Sequence, residues 1–210
     1  MKAGSVVDQG AAVTMVFSSL LFLFRFLPAV LLLYFLVPRR MRNGVLLFVS
    51  LFFYAWGEPV YVILMLCSIL ITYTGGRFVH YYREKKNMRG ARISLVITVI
   101  LGLLGLGIFK YADFVIRTID QVAGGSISPL GLALPIGISF YTFQTISYVA
   151  DVYRGNARVQ KNIFSYGAYV TMFPQLIAGP IVQYKTIDEQ LRSRKESAGE
   201  FALGVNRFIV

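Results

Sequence analysis

The sequence predicts an all-α, polytopic transmembrane protein, and three observations predict it. Of 210 residues, 56% are hydrophobic, the mean hydropathy is +0.63, and soluble domains sit nearer 45–50% apolar. The apolar residues gather in long blocks with no β-type alternation of weight and no internal repeat. The net charge of +11 is carried by basic residues at the ends of those blocks. That is the pattern of membrane orientation, not of a nucleic-acid face, and no nucleic-acid partner is expected.

Residues 1–14, "MKAGSVVDQGAAVT", are small and polar. They read as a disordered extension without the charged n-region or cleavage site of a signal peptide, and Met15 fits a translation start. The first span runs from there to about Val37, interrupted by Arg25 and Pro28. "PRRMRN" at 38–43 is a basic loop. "GVLLFVSLFFYAW" at 44–56 is a second helix, short against the about 20 residues that cross a ~30 Å hydrocarbon core. Tyr54 and Trp56 beside the "GEP" turn suit an aromatic belt. A third helix covers 60–76 and a basic stretch covers 77–92. A fourth helix covers 93–119, where Gly102, Gly105 and Gly107 suit close packing. A Gly/Ser/Pro loop at 120–133 leads to a fifth helix at about 135–153. A sixth apolar segment at 163–184 is broken by Pro174, Gly179 and Pro180. Residues 185–199 are charged and interfacial, and a further apolar run begins at 201.

If the first five segments cross, the stretches 38–43, 77–92 and 154–161 share one side and hold twelve Lys and Arg, while the other side holds Lys2 and almost nothing else. The positive-inside rule then places the N-terminus outside and the basic loops in the cytoplasm of a plasma (inner) membrane protein. The asymmetry also argues that segment 44–56 crosses.

Three stretches could carry chemistry. In "LPIGISFYTFQTISYVADVYRG" at 134–155, Tyr141, Gln144, Tyr148 and Asp151 recur at i, i+3, i+7 and i+10, on one helix face. Polar groups in a bilayer face protein or a water-filled cavity, so this face either lines a substrate chamber or forms hydrogen bonds between helices. In "FKYADF" at 109–114, Lys110 and Asp113 either neutralise each other at i, i+3 or snorkel to the interface. In "FPQLIAGPI" at 173–181, Pro174, Gly179 and Pro180 break helical bonding around Gln175. Freed backbone is tolerated in a membrane where it is buried or lines a cavity, so a re-entrant segment beside a cavity is expected, with a simple kink as the plain alternative. Cys67, alone in an apolar run, reads as a buried thiol. The single His80 reads as a solvated or interfacial side chain in a basic loop. One His and one Cys leave no basis for a metal site. No Ser/His/Asp arrangement, P-loop or dinucleotide loop occurs. The residues alone do not choose between an enzyme, a transporter or flippase subunit, and a non-catalytic assembly protein.

Four stretches taken together, "VFSSLLFLFRFLPAVLLLYFLVP", "FYAWGEP", "FKYADF" and "LPIGISFYTFQTISYVADVYRG…MFPQLIAGPIVQY", resemble the membrane-bound O-acyltransferase family over residues 15–210. The nearest branch is the bacterial one of alginate O-acetylation and teichoic-acid D-alanylation. The resemblance implies a ring of helices in membrane lipid and transfer of an acyl group, often acetyl. The donor, acyl-CoA or an acyl carrier, is a cytoplasmic co-substrate, and the acceptor is a hydroxyl on an exported polysaccharide such as alginate. It also implies periplasmic or extracellular acetylation proteins as partners. Family members use a His on a later membrane helix, and His80 matches it neither in position nor in surroundings. The catalytic His is therefore expected beyond Val210, with this chain an N-terminal part of a longer protein and inactive alone. Substrate-chamber lining is assigned to Tyr141, Gln144, Tyr148, Asp151 and Gln175.

Overall fold

A computed structural model describes residues 20–123, 128–178, 182–192, 194 and 197–209. The extension at 1–14, Met15 and the two helix breakers Gly179 and Pro180 lie outside the described residues. Among the described residues the fold is helical, without a strand. The helices are α1 (Leu27–Leu36), α2 (Arg42–Gly57), α3 (Val62–Glu84), α4 (Met88–Ala123), α5 (Ile138–Arg154), α6 (Ile163–Thr171), α7 (Phe173–Ala178), α8 (Tyr184–Arg192) and α9 (Ala198–Ile209).

The interruption expected at Arg25 and Pro28 is a widening, not a break. Phe22–Phe26 form a π-helical stretch, and the Leu27 N–H reaches back five residues to the Phe22 carbonyl. Pro28, in the first turn of α1, has no N–H to give and its ring crowds the carbonyl four residues back, so the turn opens to make room.

α3 and α4 are long and apolar enough to cross a membrane. They form a hairpin closed by a turn at 85–87, where Lys86 takes a left-handed backbone (φ 55°). The basic stretch 77–92 is thus mostly helix, not loop: "RFVHYYRE" continues α3, and α4 begins at Met88. His80 accordingly sits on α3, with Nε2 3.2 Å from Glu84 one turn on. The loop at 38–43 is likewise shorter than expected, because Arg42 and Asn43 begin α2. At 1.5 Å per residue the 16 residues of α2 span about 24 Å, and the 17 of α5 about 26 Å.

The polarity of the packing is that of a membrane protein. Ser50, Thr72, Thr98, Thr142, Gln144, Thr145 and Thr171 are buried, while Leu32, Phe48, Ile63, Leu70, Ile100 and Leu104 are exposed. A lipid solvent rewards this arrangement, since hydrocarbon accepts apolar side chains and leaves polar ones to find partners inside.

α3 is the central element, packed on α4 and α5, while α2 holds α6. Two glycines of α3 let neighbouring helices approach closely. A Cβ on Gly75 would collide with the Thr98 side chain, and one on Gly76 would come 2.8 Å from the Tyr148 ring. Of the glycines expected to pack closely on α4, Gly102 meets Ile146 at 3.5 Å, but Gly105 and Gly107 have nothing within 4 Å. Tyr54 is not part of an interfacial belt: it is buried and donates to the Ile136 carbonyl at 3.2 Å. Cys67 is exposed on α3, at the edge of a small cavity shared with α4 and α5.

The sixth apolar segment is interrupted at Met172. α6 ends at Thr171, Met172 is extended (ψ 110°), and α7 restarts with Pro174 in its first turn, where a missing N–H does no harm. With nine residues, about 14 Å, α6 is too short to cross a bilayer. Ser165 through Thr171 are all buried. Phe22, Phe26, Phe53 and Phe173 bring α7 against α2 and the π-helical turn, with ring centroids 5.3 to 5.8 Å apart.

Candidate functional site

The polar face of α5 points into the protein. Tyr141, Gln144 and Tyr148 are all buried, and each meets a different fate. Gln144 Nε2 donates to the Tyr169 carbonyl at 3.0 Å. That carbonyl lies near the end of α6, where the helix supplies no fourth-residue N–H, so the amide replaces a missing backbone partner. Tyr148 sits at the centre of a cluster of tyrosines. Its ring centroid is 4.8 Å from those of both Tyr166 and Tyr184, and Tyr184 is 5.1 Å from Tyr169 at nearly a right angle, within the edge-to-face range that aromatic quadrupoles favour.

Each hydroxyl in this cluster has a partner. The Gln160 N–H donates to Tyr148 Oη at 3.0 Å, and Gln160 Nε2 donates to Tyr184 Oη at 2.8 Å. Tyr184 in turn donates to Asp188 at 2.7 Å. Tyr166 donates to Thr72 at 2.9 Å, and Tyr169 to the Val182 carbonyl at 3.0 Å. The cluster therefore joins α3, α5, α6 and α8 through bonds with little access to water.

Tyr141 and Gln175 differ. Tyr141 Oη is enclosed beside Ser68, but the Ser68 proton goes to the Leu64 carbonyl at 3.0 Å, and Tyr141 Oη has no hydrogen bond of good geometry. Gln175 Nε2, on α7 beside the helix break, is also buried without a partner among the described residues. Leaving a buried polar group unpaired costs about 1–3 kcal/mol, so such groups ask for an explanation. Asp151 is half-buried at the last turn of α5, and among the described residues no group pairs with its carboxylate. Its backbone carbonyl accepts from the Asn156 N–H at 2.9 Å, and Gly155 (φ 85°) provides the left-handed exit.

The structure thus brings Gln144 and Tyr148 into one network, sets Tyr141 towards α3, leaves Asp151 at the loop end, and places Gln175 on the far side of the Met172 break. Tyr166, Tyr169, Tyr184, Gln160 and Asp188 were not singled out from the sequence. The three-residue spacing of Tyr166 and Tyr169 on a short helix was a signal for the first two. Lys110 and Asp113 do not pair: Asp113 accepts the Leu130 N–H at 2.8 Å and so ties the loop after α4 back to that helix.

The α5 network opens towards the loop end on a basin of about 1080 Å³, bordered by the Arg39–Arg40 turn, the end of α3 and the α5–α6 loop. A much smaller cavity of about 60 Å³ lies between α3, α4 and α5, with Ser68, Thr72, Thr142 and Thr145 on its walls. It has room for water but not for a sugar.

No family model matches the chain, and no solved structure matches it significantly. Curated relatives do. The chain is 39% identical over 199 residues to a probable alginate O-acetylase, AlgI, of Pseudomonas aeruginosa, covering 93% of this chain and 38% of that protein. It is 38% identical to the probable alginate O-acetylase AlgI of Azotobacter vinelandii, again over 93% of this chain and 40% of the relative. It is 30% identical over 219 residues to a peptidoglycan O-acetyltransferase of Helicobacter pylori, over 90% of this chain and 41% of the relative. The chain spans about two-fifths of the length of these relatives. Its helical fold and apolar outer surface agree with this kinship: over nine-tenths of its length the chain is similar to proteins named alginate O-acetylase and peptidoglycan O-acetyltransferase, consistent with a fragment of a membrane-bound O-acyltransferase.

Proposed function

We propose that this chain is a segment of a membrane O-acyltransferase that transfers an acyl group, acetyl in the simplest case, to hydroxyls of an exported envelope polysaccharide such as alginate. The observation that carries the reading is the 36–39% identity, over 93% of the chain, to proteins named alginate O-acetylases. In this reading the donor is a cytoplasmic acyl-CoA or acyl carrier. The basic loops face the cytoplasm of the inner membrane and the N-terminus faces outside. A His on a later helix takes the acceptor proton, so this chain alone is inactive. Periplasmic acetylation proteins receive or present the polymer.

Within that enzyme, the face made by Tyr141, Gln144, Tyr148, Asp151 and Gln175 is a wall of the chamber that the remaining helices complete. Tyr141 and Gln175 support this part best, because their buried polar atoms keep bonding capacity that the described residues do not use. Gln144 and Tyr148 hold the wall together. The test is the ester-linked acetyl content of envelope polysaccharides, by mass spectrometry, in cells with and without the gene. Acetyl esters that vanish with the gene and return on complementation are expected; unchanged esters refute the reading.

A further inference from the structure

Three separate pieces of chain place their cations around the basin at the loop end. Arg39 and Arg40 come from the turn before α2, Arg83 from the last turn of α3, and Arg158 and Lys161 from the α5–α6 loop. Against these five permanent cations the lining offers one carboxylate, Glu84, and that one lies 3.2 Å from His80. Among the described residues, Arg39, Arg40, Arg158 and Lys161 have no acidic partner. Like charges gathered round one concavity repel, and the field they focus draws anions.

The walls are fixed in advance. Arg83 Nη1 donates to the Val152 carbonyl at 2.7 Å, which holds the guanidinium over the end of α5. Gly155 makes this possible: a Cβ there would come 2.8 Å from Arg83 Nη2. The α5–α6 loop is held by the Gln160 N–H on Tyr148, by Tyr73 Oη on the Lys161 carbonyl at 2.7 Å, and by the Asn162 side chain on the Phe164 N–H at 2.8 Å. A preorganised site loses little freedom on binding. Four of its five cations are guanidinium groups, whose planar fork matches phosphate oxygens in pairs.

We propose that this basin is a phosphate-binding site at the membrane surface. It takes a ligand with two or more negative charges on phosphate, spanning from the Arg39–Arg40 turn to the Arg158–Lys161 loop. Such a group comes from one of two sources, the headgroup of an anionic phospholipid or a soluble phosphate compound. The inference stands on the basin's own geometry and does not rest on the acyl-transfer reading.

The test uses the purified complete protein and two charge-matched double variants. Arg40→Gln with Arg158→Gln removes two basin cations whose side chains make no hydrogen bond among the described residues. Arg89→Gln with Arg92→Gln removes the same charge at the start of α4, outside the basin. In nanodiscs of phosphatidylcholine alone, inorganic pyrophosphate is titrated calorimetrically. In nanodiscs containing phosphatidylglycerol, retained lipid is read by native mass spectrometry. Saturable pyrophosphate binding that weakens about tenfold or more in the basin pair, and about twofold or less in the matched pair, assigns the site to soluble phosphate. Phosphatidylglycerol kept by the unmodified protein and the matched pair but lost by the basin pair assigns it to lipid. Equal losses in the two pairs, or no binding of either probe, overturn the proposal.

Discussion

Gly76 on α3 lies flush against the ring of Tyr148 on α5, with space for a hydrogen but not for a methyl group: a Cβ would sit 2.8 Å from Cε1. This contact sets how closely the two helices approach, and it locates the tyrosine cluster. Gly76→Ala is expected to destabilise the protein by about 1–3 kcal/mol through overpacking, seen as a lower Tm in detergent or nanodiscs. Gly105→Ala, with nothing within 4 Å of the added methyl, should be neutral or slightly stabilising, because Ala costs less than Gly in a helix. Equal losses in both variants would mean that the α3–α5 approach does not depend on Gly76.

Gln144 and Asp151 share a helix face but not a role. Gln144→Leu leaves the Tyr169 carbonyl buried without its donor, a loss of about 1–3 kcal/mol. Asp151→Asn changes a carboxylate without a partner among the described residues and should stay within about 0.5 kcal/mol. Thermal unfolding of the two variants side by side checks this. A loss in the Asn variant as large as in the Leu variant would place Asp151 in the same network.

The tyrosine cluster predicts a graded series. Tyr184→Phe removes the hydroxyl that accepts from Gln160 and donates to Asp188, and each net bond is worth about 0.5–1.5 kcal/mol. Tyr169→Phe removes a single bond to the Val182 carbonyl. The Tyr184 variant should therefore unfold at the lower temperature, and the reverse order would show that the Gln160–Tyr184–Asp188 chain is not formed.

Sidedness follows from the basin, which joins the α1–α2 turn, the end of α3 and the α5–α6 loop at one end of the bundle. With Cys67→Ser as background, single cysteines at Arg40, Lys86 and Arg158 should all be modified from one side of sealed vesicles, and a cysteine at Leu130 from the other. Labelling of Arg40 and Arg158 from opposite sides would refute the packing of α2, α3 and α5 described above.

The sequence made the class of the protein legible because lipid leaves a strong signature: apolar blocks, basic ends and a polar face on one helix. The prolines raised the expectation of an irregular sixth segment; the interruption lies at Met172, and Pro174 sits in the first turn of α7, where a helix tolerates the missing N–H. The sequence misled where helix ends depend on contacts between distant segments. "RFVHYYRE" reads as a polar loop by composition, yet it continues α3 because Val79 and Tyr82 have neighbours to pack on and Arg83 reaches the end of α5. Gly105 and Gly107 look like packing glycines as Gly75 and Gly76 do; only the fold decides which of them meet another helix. The fates of Tyr141, Gln144 and Tyr148 were beyond the spacing rule for the same reason. Periodicity gives the shared face, while the partners lie 12 or more residues away in α3, α6 and the α5–α6 loop.

The proposed role of the inward face of α5 and α7 is acyl transfer and not only packing. Tyr141→Phe removes a hydroxyl, and Gln175→Leu an amide nitrogen, that bond to nothing described in the fold, so neither should lower the amount of complete protein in the membrane. The deciding measurement is acetyl ester on exported polysaccharide per mole of membrane-resident protein in cells carrying each variant. A fall of about tenfold or more is expected, some 1.4 kcal/mol of lost transition-state stabilisation, at unchanged protein abundance. Full acetylation in both variants would contradict that role.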